Sequence, residues 1–229
     1  MGETRRERLR RELTSEILSI ARRQLAERGP GAVTWRAIAR ELGMNPASLY
    51  TYFESLDALF TALILQSYAS LGDAIEAADA AHLDHEPADR AIACLQAYRA
   101  WAVEHPAEFN LIFTDQLPGY VAPIESGTFE AEMAVLRPVI GALLAIDGQT
   151  LDDGPLRPAD SARSPEADAS IGLWAQVHGL VMLEINNHLP VDGRPERFER
   201  LIREAVGRRT AGAGAAEPSG PGELRGPGR

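Results

Sequence analysis

Apolar positions recur along the chain with a helical period, and glycine and proline cut that pattern into segments. Leu9, Leu13, Ile17, Ile20 or Ala21, and Leu25 predict an amphipathic helix that Gly29, Pro30 and Gly31 close. A second helix follows because Trp35, Ile38, Ala39 and Leu42 fall at i, i+3, i+4 and i+7, behind a threonine, Thr34, placed to cap them. Gly43 stops it, since glycine takes the left-handed conformation without steric penalty, and Met44 can then fold back towards the core. Asn45 caps a third helix, with Pro46 at the first position, where a missing amide costs nothing. Leu49 and Phe53 face inward there, which turns Ala47, Ser48 and Thr51 outward and leaves Tyr50 and Tyr52 on the flanks.

Ser55 caps a fourth helix, which Leu56, Leu59, Phe60, Leu63, Ile64, Tyr68 and Leu71 carry to about Ala81. At ~1.5 Å per residue it spans nearly 40 Å, so its start lies beside the third helix and its far end in another domain. A break at residues 82–87 precedes a helix through Leu95, Tyr98 and Trp101, and a shorter one through Phe109 and Phe113. Residues 114–126 are turn-rich. Another helix is expected over 129–146, kinked at Pro138, then a long exposed connection over 147–168. The most apolar helix is expected over 169–189 and the last over 195–207, before a Gly/Pro/Ala-rich tail expected to be disordered. The pattern is all-α, divided into an arm and helix-turn-helix unit (1–56), a helical domain (57–207) and the tail (208–229).

The outward surface of the third helix is short, polar and nearly uncharged. Small side chains let a helix enter a major groove, hydroxyls meet base edges or phosphates, and a helix N-terminus attracts phosphate. The run Thr34, Ile38-Ala39, Leu42-Gly43-Met44-Asn45, Ala47-Ser48-Leu49-Tyr50, Tyr52-Phe53 and Ser55 resembles the DNA-binding signature of the tetracycline-repressor (TetR) family of transcriptional regulators. The resemblance implies a three-helix DNA-binding domain and a C-terminal helical bundle for dimerisation and ligand binding. It also implies a homodimer that represses from a near-palindromic double-stranded operator and is released by a small-molecule effector. The DNA contacts it implies are Thr34, Arg36, Asn45, Pro46, Ala47, Ser48, Tyr50, Thr51 and Tyr52. One departure stands out: where the family usually has a lysine or arginine after F-x-S, a position that commonly meets a phosphate, this chain has Leu56.

Charge changes the picture in one respect. The net charge is −10, but residues 1–60 hold 10 Arg against 8 acidic residues, whereas the remainder holds 13 against 25. Basic side chains therefore gather where DNA should lie. Arg5, Arg6, Arg8, Arg10 and Arg11 read either as a flexible arm tracking phosphates or as a solvated helix start, while Arg22, Arg23 and Arg28 should stay in water. All 23 basic residues are Arg, a compositional mark of a G+C-rich genome.

Cys94 sits alone in an apolar pattern, so no disulfide framework exists, and a buried, inert thiol fits a reducing cytoplasm. The charged N-terminus lacks a signal-peptide core, and no run of about 18 apolar residues appears, so a cytoplasmic protein with no membrane partner is expected. His82 and His85 have no third ligand at matching spacing, so no metal and no cofactor are expected. There is no P-loop, dinucleotide glycine motif or nucleophile elbow, and no enzyme is expected. The rival reading is a small-molecule carrier or enzyme whose helix-turn-helix is vestigial.

Trp174 and His178, four apart, share one helix face, and Gly172 and Gly179 allow close approach of a neighbouring helix. With Gly179 they resemble the W-H-G motif that names one class of C-terminal domain in the same family. His178 is either a core histidine with one quiet hydrogen bond or a residue that orients a ligand. Trp101, Phe109, Phe113, Met133, Trp174 and Met182 are either plain core or the lining of an effector pocket. The last two helices are where the resemblance puts a dimer interface.

Overall fold

Thr4 opens the first helix with a reciprocal pair of hydrogen bonds. Its hydroxyl accepts from the Glu7 amide at 3.2 Å and its own amide donates to Glu7 Oε2 at 2.8 Å, so two amides that a helix start leaves orphaned are satisfied. Helix α1 therefore runs Arg5–Arg28, so of the two readings of the arginine-rich start, the solvated helix start is the one found from Arg5 onward. Arg5, Arg6, Arg8, Arg10 and Arg11 stand exposed on its opening turns. Those turns project past the core: Leu9 is exposed, and burial is complete only from Ile17 onward.

The computed structural model describes residues 4–114, 117, 119–151 and 165–214, and these contain helices and turns but no strand. Helix α2, Trp35–Leu42, is capped by Thr34, which accepts from the Ala37 amide at 3.2 Å. It ends at Gly43 with φ 64° and ψ 28°, and the Met44 amide reaches back to the Ala39 carbonyl at 2.9 Å, the six-to-one bond of a glycine-terminated helix. The next helix, Pro46–Thr51, is a six-residue 3-10 helix, tighter than the sequence suggested. The chain must turn again before the Ser55 cap, and the tighter wind still brings both Leu49 and Phe53 inside.

Ser55 accepts from the Ala58 amide at 3.0 Å and starts α3, Leu56–Ala80, close to its expected span. By length and composition α3 could also cross a membrane. Here its apolar side instead packs on α1 and on three helices of the body: α4 (Pro87–Glu104), α5 (Pro106–Phe113) and α6 (Thr128–Ile146). Arg22 is not in open water as expected: it is half-buried and donates to Gln66 of α3 at 2.6 Å, tying α1 to that helix. Arg90 grips Asp79 with two donors, at 2.8 and 3.1 Å, and ties α4 to the far end of α3.

Two helices complete the body. Helix α7, Pro165–Ile185, starts earlier than expected, so 165–168 are helical rather than part of the connection, while residues 152–164 lie outside the described part. It also ends earlier, because Asn187 adopts φ 60° and the His188 amide turns back to the Leu183 carbonyl at 2.8 Å. Helix α8, Arg194–Gly214, continues seven residues past the expected stop at Gly207. Arg209 explains the extension: it donates to Asp147 Oδ2 at 2.6 Å and to Ser170 at 2.9 Å, anchoring the last turns against α6 and α7. The rest of the tail, 215–229, lies outside the described residues.

A Cβ added at Gly43 would meet open space, so the penalty for a side chain there is conformational only. Gly43→Ala should lower unfolding free energy by about 1 kcal/mol, measured as a shift in urea midpoint without a change in slope.

Candidate functional site: nucleic-acid interface and cavity

The helix-turn-helix is held rigid from behind. Arg23 and Gln24 of α1 both donate to the Glu41 carboxylate of α2, and these bonds hold Glu41 below the usual carboxylate range, with the Gln24 bond the largest cause. Arg10 donates to the Thr51 carbonyl at 2.9 Å, and its guanidinium lies 5.7 Å from the Tyr52 ring centre. The opening turns of α1 are thereby fastened to the end of the 3-10 helix. On the outer side Ala47, Ser48, Tyr50 and Thr51 are exposed, with Pro46 and Tyr52 half-buried at the margins. Tyr50 leans on Trp35, ring centres 5.6 Å apart. Arg36 is exposed on α2, while Thr34 and Asn45 are occupied as caps, Asn45 accepting from the Ala47 amide at 2.9 Å. Leu56 packs against the core, so this end of α3 carries no cation.

Trp174 and His178 point into the body. Tyr98, fully buried on α4, shares a 2.7 Å hydrogen bond with His178 Nδ1. Trp174, Phe109 and Phe113 surround that bond, with Phe109 stacked 5.7 Å from the imidazole and Phe113 edge-on at 5.0 Å. Burial pushes the His178 pKa down, so the ring is held neutral. Trp101 is buried and donates to Ser70 at 3.0 Å, while Met133 and Met182 are half-buried. Beside the cluster an ion pair between Arg99 and Glu184, at 2.7 Å, joins α4 to α7.

A cavity of about 580 Å³ lies on the other side of Phe113, within the roughly 300–1,000 Å³ typical of small-molecule sites. Ile64 and Tyr68 of α3 form one wall and Leu111, Ile112 and Phe113 of α5 another. Tyr120 and the start of α6, with Thr128, Phe129 and Glu132, close it. Of the seven residues read as a possible pocket lining, Phe113 alone borders this space. Tyr68, Tyr120 and Glu132 were not singled out from the sequence. The signal present there was Glu132 one turn from Phe129 on an otherwise apolar face. Tyr120 reaches α3 directly, its hydroxyl 2.8 Å from Thr61 Oγ1. Burial raises the Glu132 carboxyl above the usual range and, with the Glu132 charge nearby, raises the Tyr68 phenol as well. Cys94 is buried beside Asp79, and its thiol is pushed up to about 12 by burial first and that carboxylate second, which leaves it unreactive.

A braced helix-turn-helix with a small-residue outer face, joined through one long helix to an all-helical body, defines a DNA-binding transcriptional regulator. Residues 17–63 match the model of the tetR family of bacterial regulatory proteins, and residues 91–205 match the tetracyclin repressor-like C-terminal domain. The HTH-type transcriptional regulator Rv1816 of Mycobacterium tuberculosis is 31% identical over 191 residues, 77% of this chain and 82% of that protein. The crystal structure of SCO4313, described as a regulatory protein, superposes with a TM-score of 0.72 at 29% identity, over 89% of this chain and all of that one. RolR, solved with resorcinol, shares the fold at a TM-score of 0.50 and 18% identity, over 92% of this chain and 96% of that one. The chain belongs to the TetR family of transcriptional regulators.

Because the folded state holds His178 neutral, the unfolded chain takes up a proton more readily below the ordinary histidine pKa of 6.5. The contribution of His178 to stability should be intact above pH 6.5 and be lost as pH falls through its lower folded pKa. Urea midpoints at pH 7.5 and 5.5 should therefore differ less in His178→Gln than in the parent chain.

Proposed function

We propose that the chain is a repressor that binds a near-palindromic operator as a homodimer and is released by a small-molecule effector. The carrying observation is that only four residues separate Thr51 from the start of α3, which also forms a wall of the cavity through Ile64 and Tyr68. In this reading the division between DNA-reading and effector-binding parts falls near Leu56. Ala47, Ser48 and Thr51 meet base edges. Tyr50, Tyr52, Arg36 and the capped helix starts at Thr34 and Asn45 position the phosphate backbone.

Support for a dimer comes from α7. Ile171, Ala175 and Leu183 form an exposed row with little charge, and a Cβ at Gly172 or Gly179 would meet open space, so a second helix can approach closely. A two-fold protein then calls for a two-fold site. The cavity supplies the effector seat, and RolR with its resorcinol is a case of a small aromatic ligand held by the same fold. An effector that widens or narrows the space between α3 and α5 shifts α3 and with it the recognition helix. A coupling of only ~1–3 kcal/mol changes operator affinity by roughly 5- to 150-fold, and linkage demands the same factor for the effector.

Two experiments test this function. Operator selection from a random library should return a near-palindrome for the parent chain and a changed consensus for Ser48→Ala with Thr51→Ala, whereas Tyr50→Phe should weaken all sequences alike; an unchanged consensus in the double variant refutes the base-reading role. Ala175→Arg should give a monomer by light scattering and lower operator affinity by roughly 100-fold or more, as simultaneous engagement of two half-sites is lost.

A further inference from the structure

Among the described residues lining the cavity, Glu132 is the one charged side chain. No hydrogen bond or ion pair reaches its half-buried carboxylate among the described residues. Its polar neighbours are already engaged: the Tyr68 hydroxyl donates to the Ile112 carbonyl at 3.1 Å, and the Tyr120 hydroxyl is paired with Thr61. Thr114 and Thr128 also line the space, and their hydroxyls are engaged with the Asn110 carbonyl and with Ser126, while Tyr68, Phe113 and Phe129 border it with aromatic rings. A carboxylate withdrawn from water without a partner is unfavourable, and a neutral occupant would dry the site further without compensating it. An anion would add like charge. A positive charge is compensated twice, by the carboxylate and by the negative faces of the rings.

We propose that the cavity binds a hydrophobic organic cation, an amine or quaternary ammonium compound, with its charge on Glu132 and its apolar body between Tyr68, Phe113 and Phe129. The binding stands on the cavity itself; its consequence for DNA rests on the effector-released repressor proposed above. The site selects by charge first and shape second, because the polar side chains around Glu132 are already paired and Glu132 is the lone fixed charge among the described lining residues. Members of the ligand class share a cationic head and an apolar body of a size the cavity holds.

The test uses the full chain and three probes with one phenylalkyl tail and different heads: 4-phenylbutyl-trimethylammonium, 5-phenylpentan-1-ol and 5-phenylpentanoate. Calorimetric titration should give the cation at least about tenfold tighter binding than the alcohol, with the anion weakest. In Glu132→Gln the advantage of the cation should vanish while the affinity of the alcohol moves by less than about twofold, and Glu132→Asp should keep part of the advantage. A melting temperature of Glu132→Gln at or above that of the parent certifies that the variant is folded. Absence of cation binding, equal affinity for cation and alcohol, or an advantage that survives Glu132→Gln overturns the proposal. Operator affinity measured with each probe separates the two readings. If the alcohol or the anion binds tightest and releases DNA, the cation site is refuted and the effector reading stands. If the cation binds through Glu132 and operator affinity does not change, the cation site stands and the effector reading falls.

Discussion

An α-helix bends only by stretching or breaking its own hydrogen bonds, and α3 has neither glycine nor proline before Gly72. Its 25 residues form a rod of about 37 Å at 1.5 Å per residue. The rod starts at the Ser55 cap, immediately behind the recognition helix, and passes the cavity within its first four turns. The other helices are arranged to hold this rod. Arg22 clamps it to α1, Arg90 clamps its far end to α4, and the apolar faces of α4, α5 and α6 cover its inner side. Any coupling between the body and the DNA-reading surface depends on that stiffness, because a flexible joint at Glu54 or Ser55 would leave the surface indifferent to the body.

The fold was largely legible because its boundaries are set by local chemistry. Thr34, Gly43, Asn45, Pro46 and Ser55 each perform in the structure the capping or stopping role that their residue type predicts. The errors came where a distant contact overrules local preference. Composition alone makes residues 208–214 look like tail, yet Arg209 bonds to Asp147 and Ser170 and keeps them helical. The arginine-rich start fits a mobile arm or a solvated helix by composition, and the reciprocal bonds of Thr4 and Glu7 decide for the helix. Arg22 fits open water by local pattern alone, since its partner, Gln66, is 44 residues away.

The interior was harder to read. A Trp and a His four apart on an apolar helix fit a packed core or a ligand site. Here Tyr98 occupies the imidazole nitrogen, and three aromatic rings fill the surrounding space. The open volume lies one ring further out, beyond Phe113, between α3, the end of α5, the start of α6 and the segment that joins those two. No periodicity marks such a gap. It is a property of three helices together, and the sequence trace it leaves is a single acidic residue, Glu132, on a buried face.

Helix α1 gives the molecule a second connection between its two ends. Besides supporting the helix-turn-helix, it packs against α5, whose last turn forms a wall of the cavity opposite α3. The DNA-reading unit is therefore tied to the body by two helices, one that lines the cavity and one that packs on a helix lining it. A plate on one tether swivels freely, whereas a plate on two turns only as far as both supports allow.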